Sequence, residues 1–123
     1  MPRKKTVDRI TLSGVRLHPR LGTTAEERRE PQLCEADITF WGDFEPAACT
    51  DALDKAIDYS QVLTKAEDIA QAGEYNLVET LAYRLARAVL QSFPVQRVGI
   101  RLRKRPLSLS GKIDFVEIEI EES

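Results

Sequence analysis

The sequence predicts an α+β domain, with a four-stranded antiparallel sheet and two helices on one face. Three observations carry this. Apolar and polar side chains alternate over residues 8–17 and 32–44, and again over 95–104 and 113–121. Between these pairs of segments the apolar spacing becomes helical. The order is therefore strand, strand, helix, helix, strand, strand. With 123 residues, 42% apolar and 31% charged, the chain suits one compact domain. We divide it into a flexible basic arm, residues 1–7, and a single domain, residues 8–123.

The first strand sets Ile10, Leu12 and Gly14 against Arg9, Thr11 and Ser13, and it ends near Pro19. Residues 20–31 are polar and hold the charge run Glu26-Glu27-Arg28-Arg29-Glu30. The second strand sets Cys34, Ala36, Ile38 and Phe40 against Glu35, Asp37, Thr39 and Trp41, so the two strands pair as an antiparallel hairpin. Residues 45–58 are mixed, with a helical turn near Ala47 to Cys49. Ser60 is a suitable N-cap for a helix carrying Val62, Leu63, Ala66, Ile69 and Ala70, which Gly73 ends. A second helix follows directly, with Leu77, Val78, Leu81, Ala82, Leu85, Ala86, Val89 and Leu90 on one face and Pro94 as its stop. In the last two strands Arg97, Arg101 and Arg103 face outward on one, and Glu117, Glu119 and Glu121 on the other. Antiparallel pairing would set these charges opposite each other. Both sheet edges stay open, a liability that association resolves.

Composition narrows the function. The net charge of −2 gives no general attraction to nucleic acid or to an anionic membrane. The basic run from Arg101 to Arg105 reads as a sheet face, because its acidic partner strand is present. No apolar run reaches the ~18 residues of a membrane span. The basic start lacks the apolar stretch of a secretory signal. Cys34 and Cys49 form no disulfide framework, so a reduced, cytoplasmic setting is expected, with both as packing residues. His18 is the single histidine, and without HxxxH or CxxC the expectation is a protein with neither metal nor cofactor.

Four positions stand out for chemistry. Lys104 continues the inward parity of Val98, Ile100 and Leu102, so it faces the buried side unless the strand has already ended. Desolvation makes an ammonium a readier proton donor. Glu79 fits a capping box with Asn76, or it stands as a carboxylate beside the free N–H groups of a helix start. Such a pair of features reads a heterocycle that offers donors and acceptors together. Tyr59 is either packing or functional, and Glu27 is either part of a solvated charge run or functional.

The chain resembles the dihydroneopterin aldolase family over roughly residues 8–121. The motifs are Gly22 followed at that family's spacing by Glu27, then Gln32, Thr50-Asp51, Asp58-Tyr59-Ser60-Gln61-Val62, Asn76-Leu77-Val78-Glu79-Thr80-Leu81-Ala82, and Lys104 near Pro106. The resemblance implies the tunnelling fold, whose subunits join their sheets in a ring as tetramers or octamers, with active sites between neighbours. It implies that Glu79 anchors a pterin through its amino group and ring N–H, helped by the backbone of Leu77 and Val78. It also implies that Tyr59 arrives from the adjacent subunit and that Glu27 and Lys104 surround the reacting end. The implied reaction is metal-free retro-aldol cleavage of 7,8-dihydroneopterin, with the pterin as its own electron sink. Two departures are Leu21 before Gly22, where the family often has histidine or an aromatic residue, and Arg105 after the lysine, where it often has proline. The alternatives are an epimerase of dihydroneopterin or its triphosphate, and a non-catalytic pterin-binding ring protein. An RNA-binding module lacks exposed aromatic stacking positions on its basic strand.

Overall fold

A computed structural model describes residues 7–123. The proposed basic arm lies outside the described residues, Val7 apart. The strands are β1 (Asp8–Leu17), β2 (Arg20–Leu21), β3 (Cys34–Gly42), β4 (Glu74–Tyr75), β5 (Arg97–Lys104) and β6 (Val116–Glu122). The helices are α1 (Glu45–Thr50), α2 (Tyr59–Gln71) and α3 (Val78–Ser92). Four strands form one antiparallel sheet in the order β1-β3-β5-β6, and the two long helices cover one face. The α+β architecture expected from the sequence is therefore present.

Alternation builds the core. Cys34, Ala36, Ile38 and Phe40 of β3 and Val98, Ile100 and Leu102 of β5 are buried beneath the helices. Val62, Ala66 and Ala70 of α2 and Leu81, Ala82, Leu85, Ala86 and Val89 of α3 close over them. Each fully buried large aliphatic or aromatic side chain here contributes about 1.5–3 kcal/mol. On the opposite face Arg101 lies 3.1 Å from Glu117 and 3.4 Å from Glu119, and Arg97 lies 3.8 Å from Glu121. The expected charge pairing across β5 and β6 is present.

Several local expectations are corrected. Gly14 does not continue the inward face of β1. It has φ +66° and sits in a bulge between Leu12 and Val15, after which Val15 and Leu17 point inward. An extra residue in a strand reverses the phase of everything beyond it. The second long helix does not follow the first directly, because Glu74 and Tyr75 pair in parallel with Arg20 and Leu21. The N-cap of α2 is Asp58, whose carboxylate accepts the Ser60 N–H at 2.9 Å, rather than Ser60. The cap of α3 is Leu77, and no capping box between Asn76 and Glu79 forms. The last strand begins at Val116, since residues 113–115 are irregular and follow the turn at 110–112. Cys34 is buried as expected, whereas Cys49 is exposed.

Candidate active site

Strict alternation in β5 carries Lys104 to the helix-covered side, where it is only 8% exposed. Among the described residues it is the only charged side chain that is buried. Burying an ammonium is costly unless it is partnered. Two partners come from the segment between β1 and β3. Lys104 Nζ donates to the Leu21 carbonyl at 3.2 Å and lies 3.6 Å from Glu27 Oε2. The Leu21 carbonyl is placed by the short parallel pairing of β2 with β4, which the Gly22 N–H extends to the Tyr75 carbonyl at 3.0 Å.

Glu27 opens a single 3-10 turn, Glu27–Arg29. Its other carboxylate oxygen, Oε1, accepts from Thr24 Oγ1 at 3.1 Å and Thr23 Oγ1 at 3.4 Å. The Glu27 N–H returns a bond to Thr24 Oγ1 at 3.2 Å. Burial pushes the Glu27 carboxyl up, but the Thr24 hydrogen bond and the Lys104 charge outweigh it, so the group lies below the usual carboxylate range. Gly22 makes this approach possible, because a Cβ on it would fall 2.3 Å from Glu27 Cβ. Near Lys104, the Cys34 thiol is pushed up to about 11 by burial, against the lowering effect of the lysine charge.

The start of α3 faces the same place. The first N–H groups of a helix lack intrahelical acceptors, and no side chain caps them here. A cleft of about 180 Å³ is lined by Leu77, Val78, Glu79 and Asn76 from this start, by Leu21, Thr23 and Glu27 from the loop, and by Lys104. Pro106, Ser108 and Val116 complete it. Five of the six residues singled out from sequence thus line one cleft. Tyr59 does not line it. It stands at the start of α2 and is 62% exposed. Sequence reading did not place Leu21, Gly22 and Thr24 in the site. Leu21 acts through its carbonyl, which no residue-type signal reveals. The nearest sequence cue for the other two was the Gly22-to-Glu27 spacing.

The arrangement suits a flat polar ring. The Glu79 carboxylate and the open N–H groups of α3 can bind a heterocycle edge, while the ammonium–carboxylate pair can move a proton at its other end. A larger hollow of about 600 Å³ beyond the same loop is lined by Thr24, Glu26, Glu27, Arg29, Glu30, Pro31 and Gln32 and has no buried cation. Among the described residues no group of three or more His, Cys, Asp or Glu side chains could hold a metal ion, and no helix is long and apolar enough to cross a membrane.

Known proteins give this geometry a context. The family profile described as FolB, dihydroneopterin aldolase, matches residues 10–121. The dihydroneopterin aldolase of Bacillus subtilis (strain 168) is 32% identical over 115 residues, covering 93% of this chain and 96% of that protein. The E. coli dihydroneopterin aldolase solved in complex with neopterin superposes with a TM-score of 0.86 at 22% identity, over 94% of this chain and 99% of that one. That of Burkholderia thailendensis, solved bound to guanine, gives 0.78 at 18% identity, over 94% and 90%. The family profile and the relative define a small α+β enzyme of the carbon–carbon lyase class. The chain belongs to the dihydroneopterin aldolase family.

Proposed function

We propose that the cleft binds 7,8-dihydroneopterin and cleaves it to 6-hydroxymethyl-7,8-dihydropterin and glycolaldehyde, a step of folate biosynthesis. The observation that carries this is the buried Lys104 ammonium, fixed between Glu27 and the Leu21 carbonyl in the cleft that also receives the start of α3. Glu79 accepts from the amino group and ring N–H of the pterin, and the backbone of Leu77 and Val78 completes that edge. The relatives solved with neopterin and with guanine bind flat rings bearing the same amino-pyrimidinone edge. A base takes the proton of the second side-chain hydroxyl. The bond between the first and second side-chain carbons breaks, glycolaldehyde leaves, and the electron pair enters the ring imine. Protonation of the first side-chain carbon restores the imine and gives the product. Lys104, working through a water, exchanges protons at this end, with Glu27 holding it in place.

A single chain offers only about 180 Å³ here, below the ~300–1,000 Å³ of enclosed ligand sites. A second subunit would close the cleft and bring its Tyr59 to the ring and side chain. The exposed Leu77, Val116 and Tyr59 and the two open sheet edges, β1 and β6, support a ring-shaped homo-oligomer, a tetramer or octamer. Two free cysteines fit a cytoplasmic setting.

The test is release of glycolaldehyde from 7,8-dihydroneopterin. Lys104→Ala is expected to lower kcat by about 10²–10⁴ while pterin affinity changes little. Full turnover in that variant would remove Lys104 from the chemistry. Inversion at the second side-chain carbon without glycolaldehyde would make the protein an epimerase.

A further inference from the structure

Gln32 does not line the cleft, yet it bonds to one support of Lys104, the Leu21 carbonyl, and to the backbone of Glu27, whose side chain supplies the other. Its side-chain amide donates to the Leu21 carbonyl at 2.9 Å and to the Glu27 carbonyl at 2.7 Å. A primary amide has two N–H protons, and this one uses both on the loop. Its own backbone N–H donates to the Pro19 carbonyl at 2.9 Å. Gln32 lies two residues before β3, an interior strand of the sheet, so it ties the loop to a rigid element. The Leu21 carbonyl is shared, because it accepts from Gln32 and from Lys104 Nζ together.

We infer that Gln32 is a positioning residue for the aldol cleavage. It fixes the Leu21 carbonyl and the Glu27 backbone against each other, and the Leu21 carbonyl and the carboxylate that this backbone carries set where the Lys104 ammonium sits. The inference rests on the proton-transfer role proposed for Lys104. Without the amide, the direct tie between the Leu21 carbonyl and the Glu27 turn is lost, the two supports of Lys104 shift relative to each other within their remaining bonds, and the ammonium is displaced. Pterin binding at the start of α3 does not depend on this contact. Gln32 therefore acts on turnover and leaves pterin affinity alone, and it acts only while Lys104 is present.

Gln32→Met keeps length and packing and removes both donors. Kinetics with 7,8-dihydroneopterin and equilibrium binding of neopterin are measured for the wild type, Gln32→Met, Lys104→Ala and the double variant. A fall in kcat of about 10–100-fold is expected for Gln32→Met, as for a catalytic group displaced by roughly 1 Å. Neopterin affinity should change by less than about threefold, and in the Lys104→Ala background Gln32→Met should cost less than about twofold. If Gln32→Met does not fold, Gln32→Asn, whose amide falls one methylene short, carries the same expectations. Unchanged kcat, a loss explained by neopterin affinity, or an equal loss in both backgrounds overturns the inference. A wild type that releases no glycolaldehyde overturns the proposed function and this inference with it. Wild-type release with an unaffected Gln32→Met overturns this inference alone.

Discussion

Gly22 sets the position of Glu27, the partner of the ammonium, by having no side chain where Glu27 lies. Gly22 leaves room for Glu27 Cβ, and an added methyl would overlap it at 2.3 Å and lie 3.0 Å from its carboxyl carbon. Gly22→Ala should therefore push the 3-10 turn outward and separate Glu27 from Lys104. Steady-state kinetics should show at least a tenfold loss of kcat, and denaturant unfolding a loss of about 1–3 kcal/mol. A variant with wild-type values in both would show that Glu27 approaches by another route. Lys104 was half-legible in the sequence: parity aimed it inward, but parity alone does not say whether the strand has ended. Continued pairing of Lys104 with Cys34 and Val116 settles that.

The strands are locked on their outer face by one charged centre. Arg103 of β5 donates to both carboxylate oxygens of Asp37 on β3, at 3.0 and 3.1 Å, and Asp37 accepts the Gly14 N–H of the β1 bulge at 2.9 Å. One carboxylate thus ties three strands and pins the bulge that turns Val15 and Leu17 inward. The Arg103 hydrogen bond, working against burial and aided by Gly14, holds the Asp37 carboxyl below its ordinary value. A depressed folded-state value stabilises fully above the unfolded value of about 3.9 and is lost as pH falls through the depressed one. Asp37→Ala should cost about 1.5–3 kcal/mol at neutral pH, and that gap should shrink as pH falls below about 4. Urea unfolding of both proteins across this range reads it directly. A gap independent of pH would mean that packing, not charge, accounts for the loss.

Assembly belongs to the whole molecule. If the site is shared, Lys104 and Tyr59 of one working centre come from different chains. Tyr59→Ala and Lys104→Ala subunits, each strongly impaired alone, should then regain activity when co-assembled. Random mixing in a ring leaves intact about a quarter of the sites of the wild type. Activity assays on co-expressed subunits, with oligomer size followed by sedimentation, provide the check. No recovery in a mixed oligomer would place Tyr59 and Lys104 in the same chain or remove Tyr59 from the site.

The layer order, the buried faces of β3 and β5, both long helices and the charged outer face are legible in the order of residues alone. These follow from periodicity, which is local and physical: every second residue in a strand and every third or fourth in a helix meets the core. Parity and charge picked out Glu27, Glu79 and Lys104, the family resemblance added Leu77 and Val78, and all five line one cleft. The bulge at Gly14, the β2–β4 pairing, the true helix caps and the carbonyl and amide contacts around Lys104 emerge once the chain is folded. Each of these turns on which partner a particular backbone group meets, in several cases far along the chain, and backbone groups are nearly alike at every residue.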